Sequence, residues 1–205
     1  MDGAEPVARD WMATPACDDA TLIVESLRVP ERFGALFDRH ASSIHRYVAR
    51  RLGPDVADDI VAETFLRAFR GRDRYDKARP GAGPWLYGIA TNLIGRHRRD
   101  EVRFFRAIAR TGLDPAAESF TEAATDRVAA SAVRRHLADA VAGLSRAQRD
   151  VLLLTASGLG YEEVADALGI PVGTVSSRLV RARRKVRAAL GALDPTTAKG
   201  ESGDE

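Results

Sequence analysis

Apolar residues recur at intervals of three and four along most of this chain, and the places where that rhythm stops divide it into segments. Phe33, Leu36, Phe37, Ile44, Tyr47 and Val48 open the first sustained run. It ends at Leu52-Gly53-Pro54, where glycine and proline stop a helix. A second helix is expected from about residue 55 to 70, with Ile60, Val61, Thr64, Phe65 and Ala68 on one stripe. Asp58, Asp59 and Glu63 face away from most of that stripe. A polar loop follows and ends at Pro84, a residue suited to the first turn of a third helix. That helix carries Trp85, Leu86, Ile89, Ala90, Leu93 and Ile94 before turning basic. Three packed helices make a small domain.

The rhythm lapses between residues 111 and 127, where Gly, Pro, Ala and Ser mix with Asp114, Glu118, Glu122 and Asp126. This reads as a flexible acidic linker. Helical spacing resumes with Val128, Val133, Leu137, Ala140, Val141 and Leu144. Ser145, with Gln148 three residues later, predicts a capping box opening a helix from Arg146 to about Ser157. A short helix over 161–168, a Gly169-Ile170-Pro171 turn and a last helix from about 173 to 190 complete the second set. The expected organisation is therefore all-α: an extension over 1–29, largely mobile, in which the one short apolar patch at Leu22-Ile23-Val24 leaves room for a short helix, and a domain over 30–110. The linker over 111–127, a second domain over 128–192 and a disordered tail over 193–205 follow.

The formal net charge of +2 says nothing about a polyanionic partner, but the distribution of charge does. Arg178, Arg181, Arg183, Arg184, Arg187 and Lys185 crowd residues 171–187 with no acid among them. A second basic stretch contains Arg96, Arg98, Arg99, Arg103, Arg106 and Arg110 against Asp100 and Glu101. Cys17 is the only cysteine, so no intramolecular disulfide can form, no multi-cysteine zinc site is available, and a reducing compartment suits the chain. The N-terminus shows no basic stretch followed by an apolar one, which predicts a cytoplasmic protein. His97 and His136 lack partners at metal-ligand spacing, and neither a metal nor another cofactor is expected.

The sharpest chemistry lies in YEEVADALGIPVGTVSSRLVRARR, residues 161–184. Val164, Ala165 and Leu168 give the first helix an apolar face, Gly169 supplies the tight turn, and the second helix packs through Val175, Leu179, Ala182 and Val186. Thr174, Ser176, Ser177, Arg178, Arg181 and Arg184 are left as hydrogen-bonding and cationic groups, with Pro171 and Gly173 at the helix start. Such a helix-turn-helix offers base-edge and phosphate contacts in a major groove. A solvated arginine face on an ordinary amphipathic helix is the plainer alternative, and the absence of acids from 171 to 187 weighs against it.

Three strings carry a resemblance. DDIVAETFLRAF (58–69), PWLYGIATNLIGRHRR (84–99) and LSRAQRDVLLLTASGLGYEEVADALGIPVGTVSSRLVRARRKVR (144–187) occur in the order expected of the extracytoplasmic-function sigma factors of bacterial RNA polymerase, which this chain resembles. The resemblance implies a sigma region 2 over 30–110 that binds core polymerase and reads and melts the downstream promoter element. It implies a sigma region 4 over 128–192 that reads the upstream element. Docking on core would fall to Asp58, Asp59, Val61, Glu63, Thr64 and Phe65, an acidic face beside an apolar stripe. Melting would fall to Tyr75, Trp85, Tyr87 and Asn92, with Arg96, Arg98 and Arg99 on phosphates. For Trp85 the residues alone favour a place in the core, where a three-helix domain puts a tryptophan more often than at a base contact. The linker would run through the polymerase's RNA path, although a plain tether accounts for its acidity as well. Core polymerase, promoter DNA and an anti-sigma factor are the implied partners.

A stand-alone DNA-binding regulator would need the residue 33–103 domain to be a sensor, yet that domain offers neither a phosphoacceptor pattern nor a pocket pattern. An enzyme is not indicated: there is no Gly-rich phosphate loop and no nucleophile with a recognisable partner, and no catalytic residue is assigned.

Overall fold

The computed structural model describes residues 17–79, 81–111, 137 and 139–191, and every regular element among them is helical. The acidic linker, the stretch over 128–136 where helical spacing resumes, the C-terminal tail and the first sixteen residues lie outside the described residues. The chain divides into two compact units, 1–94 and 95–205, the division falling inside one long helix.

The first unit is built from α1 (Asp19–Ser26), a 3-10 turn (Pro30–Phe33), α2 (Gly34–Leu52), α3 (Pro54–Arg70), a second 3-10 turn (Arg72–Arg74) and the start of α4 (Gly83–Thr111). The α2–α3 corner is made as the sequence indicates: Gly53 closes α2 at φ +89°, a conformation open to glycine, and Pro54 takes the first position of α3. Leu36, Ile44 and Val48 of α2 are fully buried with Ala57 and Ala68 of α3 and Leu86, Ala90 and Ile94 of α4. Within the extension expected to be largely mobile, the short helix allowed at the apolar patch is α1, which buries Leu22 and Ile23 in this core. The helix starts because Asp18 caps it, its carboxylate accepting from the Thr21 backbone N–H at 2.7 Å.

A polar chain crosses the same core. Arg51 donates to the Tyr47 hydroxyl at 2.7 Å, that hydroxyl lies 2.7 Å from Thr91 Oγ1, and Thr91 in turn donates to the Tyr87 carbonyl at 2.8 Å. Each hydroxyl of the chain is satisfied, so burying it costs far less than an unpaired polar group would.

The second unit contains α5 (Arg146–Ala156), α6 (Tyr161–Leu168) and α7 (Val172–Gly191). The expected capping box opens α5: the Gln148 N–H donates to Ser145 Oγ at 3.3 Å while the Ser145 N–H donates to Gln148 Oε1 at 3.2 Å. Val151 and Leu154 of α5, Val164 of α6 and Val175, Leu179 and Ala182 of α7 form a dry core, and Val186, expected among them, is half-exposed.

Candidate nucleic-acid and polymerase interfaces

The turn between α6 and α7 sets the angle of the last helix. Gly169 sits at φ +62°, its N–H bonds to the Asp166 carbonyl at 3.3 Å, and the Ile170 N–H reaches back to the Ala165 carbonyl at 3.0 Å. This paired closure is the Schellman arrangement, which uses up carbonyls that the end of a helix leaves free. The next helix starts at once, the Thr174 and Val175 N–H groups bonding to the Pro171 carbonyl at 2.9 and 3.2 Å. Because Val175, Leu179 and Ala182 point inward, Ser177, Arg181 and Arg184 point to solvent, with Thr174, Ser176 and Arg178 half-exposed beside them. Pro171 and Gly173 are exposed at the helix start. Two apolar side chains that periodicity did not single out join this surface, Val172 and Val180, the latter 63% exposed.

On α4 the exposed and half-exposed residues Trp85, Ile89, Asn92, Arg96 and Arg99 follow one another at four, three, four and three residues, which is one face of a helix. An aromatic ring, an amide and two guanidinium groups are therefore aligned. Arg96 also lies 3.8 Å from Asp100, an exposed pairing of little weight, and Arg98 is half-exposed.

The other two aromatic residues of the expected melting group are not on this face. Tyr87 is buried, its ring packed edge-on against Tyr47 with centroids 5.2 Å apart. Tyr75 is buried below Trp85, the ring centroids 5.1 Å apart, and its hydroxyl has no hydrogen-bond partner. Burial, reinforced by the negative charge of Asp19, pushes the Tyr75 phenol above its ordinary pKa. The expectation for these aromatics is thus corrected: Trp85 is the ring partly open to solvent, and both tyrosines are inside.

The docking group divides in the same way. Asp58 and Asp59 are exposed, and Glu63 pairs with Arg67 one turn on at 2.6 Å. Asp58 also lies 3.3 Å from His45 Nε2. Thr64, by contrast, is completely buried and donates to the Ile60 carbonyl at 2.6 Å, while Val61 and Phe65 are core residues. Those three belong to the stripe that holds α3 in the domain, since Thr64 falls at the i+4 position from Ile60. The exposed apolar group among the acids on α3 is Leu66, 41% exposed, and Phe37 of α2, also exposed, meets the Phe65 ring edge-on at 4.8 Å.

Sequence reasoning passed over a cluster around Asp19. This buried carboxylate accepts from the Ala82 backbone N–H at 2.8 Å, pairs with His40 Nε2 at 2.8 Å and is held by the Arg39 guanidinium. Burial alone would raise its pKa, but the His40, Ala82 and Arg39 interactions outweigh it and hold the group at about 2. A signal was present, since Asp18 and Asp19 stand immediately before an apolar patch, the composition of a helix start. The partner at Ala82 was beyond reach because it is backbone, 63 residues away.

Family models match both halves of this arrangement: Sigma-70 region 2 over residues 36–104 and Sigma-70 region 4 over residues 130–186. Over 165 residues the chain is 38% identical to the ECF RNA polymerase sigma factor SigL of Mycobacterium tuberculosis, covering 79% of this chain and 90% of that one. The chain belongs to the extracytoplasmic-function sigma factors. It is 32% identical over 173 residues to the RNA polymerase sigma factor CarQ of Myxococcus xanthus, covering 82% of this chain and 95% of that one. Among solved structures it is similar to CnrH in complex with the cytosolic domain of CnrY, with a TM-score of 0.60, 29% identity and coverage of 85% and 97%. The fold is shared with the sigma factor RpoE of Bartonella quintana, at a TM-score of 0.59 and 23% identity, covering 78% and 98%. As a sigma factor it directs promoter-specific transcription initiation by RNA polymerase. No described helix is long and apolar enough to cross a membrane.

Proposed function

We propose that the two DNA-facing helices divide initiation between them. In this reading α7 reads the duplex of the upstream element through Thr174, Ser176, Ser177, Arg178, Arg181 and Arg184, its N-terminal end lying against phosphate at Pro171 and Gly173. The α4 face, Trp85, Asn92, Arg96, Arg98 and Arg99, serves the downstream element as it opens, the ring and amide on an unstacked base and the arginines on phosphates. Tyr75 and Tyr87 support that face from beneath. Asp58, Asp59 and Glu63, with Leu66 beside them, dock on core polymerase. The protein is a non-catalytic specificity subunit of the cytoplasm, the chemistry of RNA synthesis residing in the polymerase. CnrH was solved with a partner protein, the cytosolic domain of CnrY, and the reading for this chain likewise includes a protein partner, an anti-sigma factor.

The observation that carries the reading is the outer face of α7, polar and cationic over a dry core, with no acid between residues 171 and 187. Two small readers on one tether gain affinity only when something fixes their spacing. Free protein should therefore bind a promoter fragment weakly in a gel-shift titration, and added core polymerase should tighten specific binding by about a hundredfold or more. Equal specific affinity without core would replace this reading with that of a self-sufficient DNA-binding regulator.

A further inference from the structure

The loop between α3 and α4 is fastened at both ends to one short helix. At its far end, the Ala82 N–H donates to the buried Asp19 carboxylate of α1 at 2.8 Å, one residue before α4 begins. At its near end, Arg72 Nε donates to the Ser26 carbonyl, the last residue of α1, at 3.4 Å. Arg72 is itself fixed on α3, bonding to the Phe69 carbonyl and lying 3.7 Å over the Phe69 ring. Asp19 is fixed on α2 by Arg39 and His40, and Arg39 also reaches the Cys17 carbonyl at 3.0 Å. Between the two fastenings hangs Tyr75, its unpartnered hydroxyl buried near the Asp19 charge and its ring under Trp85.

A helix that only filled the core would need none of this. Leu22 and Ile23 already supply the apolar contact, and a buried carboxylate is a costly way to add to it. That carboxylate is committed to the backbone at the entrance of α4, at the positive end of its dipole, where it fixes where the helix starts and how Trp85 is presented. The helix also lies ahead of the stretch that the Sigma-70 region 2 family model matches, which opens at residue 36.

We propose that α1 is a positioning element for promoter opening: Asp19 and the Ser26 carbonyl hold the loop over residues 71–79 and 81–82 so that the Tyr75–Trp85 pair and the α4 face meet the unstacking base in one geometry. Asp19, Arg72 and His40 are positioning residues and touch no DNA. The inference rests on the reading that the α4 face acts in opening.

The test uses full-length protein with core polymerase on a promoter obtained by run-off transcription of genomic fragments, as a normal duplex and as a pre-opened mismatch bubble. Asp19→Ala and Arg72→Ala are compared with Asn92→Ala, with a thermal melt for each variant and permanganate reactivity of thymines to follow opening. Asp19→Ala and Arg72→Ala should each lower duplex transcript and thymine reactivity at least fivefold, at a temperature where the variant is folded, and stay within twofold of the parent protein on the bubble. Equal loss on both templates, or no loss on the duplex, would overturn the inference. Should Asp19→Ala fail to fold, Arg72→Ala decides, because it leaves the buried carboxylate and its α2 partners in place. A duplex-selective loss for Asn92→Ala without one for the two latch variants removes the latch and keeps the reading of α4. A loss for the latch variants without one for Asn92→Ala keeps the latch and removes Asn92, and a loss for none of the three overturns both.

Discussion

The two units treat polar side chains in opposite ways. In the second unit the buried side chains of α5, α6 and α7 are apolar except Asp150, and the groups that would meet DNA stand outside that core on α7. In the first, a polar chain through Arg51, Tyr47 and Thr91 and a buried carboxylate at Asp19 run inside the domain, and two of the four aromatic and amide candidates are themselves buried. The contrast follows from the two tasks. Reading closed duplex needs a rigid helix whose outward groups already match a groove, and a Schellman turn with an apolar inner face supplies it. Holding a base out of its stack needs a surface shaped by loops, and a loop is given a fixed shape by satisfied internal hydrogen bonds.

The largest effect should come from breaking one core while sparing the other. Leu179 is almost wholly buried, and Leu179→Ala should cost about 2–5 kcal/mol, much of what a small domain possesses. Trp85 packs in the first unit and residues 95–205 contain no tryptophan, so the second unit contributes no indole of its own to the fluorescence while circular dichroism follows both units. The substitution should move part of the dichroism transition down by about 10 °C or more and leave the fluorescence transition where it was. A joint shift of both signals would mean that the units share one cooperative unit, and the contrast drawn between two independent cores would fall.

Legibility followed the same division. In the second unit every local device is written in short-range sequence: the Ser145–Gln148 box, Gly169 at the turn, and the four-three spacing from Val175 to Ala182 all appear where the sequence indicated. The first unit was legible where helices begin and end, at Gly53-Pro54 and near Pro84, and less so on its faces. Trp85 and Tyr87 are two residues apart, so they stand on different sides of α4, and either could have been the exposed one on composition alone. What settles it is the buried series Leu86, Tyr87, Ala90, Thr91 and Ile94, which keeps Tyr87 with the core stripe. Val61, Thr64 and Phe65 were counted with the docking acids because a family motif runs through consecutive residues, whereas a helix deals them to different faces. The α1 latch is a side chain meeting distant backbone, and no periodicity encodes that.

An intermediate effect should distinguish the two readers directly. Arg178→Ala removes a group expected on closed duplex, where a bidentate base contact is worth about 1–3 kcal/mol. Asn92→Ala removes one expected on an unstacked base, worth about 1–3 kcal/mol. On a normal duplex promoter both substitutions should cut run-off transcript by about five- to a hundredfold on that scale. On a pre-opened bubble much of the Asn92→Ala loss should disappear, because the melting cost is already met, while the Arg178→Ala loss persists. Rescue of Arg178→Ala with no improvement for Asn92→Ala would exchange the roles of the two units.

The smallest effect on stability belongs to a surface of the first unit that behaves like the second, with charges outward over a packed stripe. Asp59 is exposed, and Glu63 shares its charge with Arg67 at 2.6 Å on an equally open surface. An exposed pair of this kind is worth about 0.2–1 kcal/mol, and a lysine at position 63 would add an unfavourable like-charge pair with Arg67 of about 0.3–0.5 kcal/mol. Asp59→Lys combined with Glu63→Lys should therefore leave helical content unchanged and lower stability by about 1.5 kcal/mol at most. Capture of core polymerase should respond much more strongly, because reversing two charges turns attraction to a basic surface into repulsion. Screening gives the expectation a second handle: the Debye length shrinks from about 10 Å at 0.1 M salt to about 3 Å at 1 M, so the defect should be largest at low salt and narrow as salt rises. A defect of equal size at every salt concentration would point instead to lost packing around Leu66. Normal capture at low salt would move the docking face off α3 altogether, leaving its acids as a solvated surface.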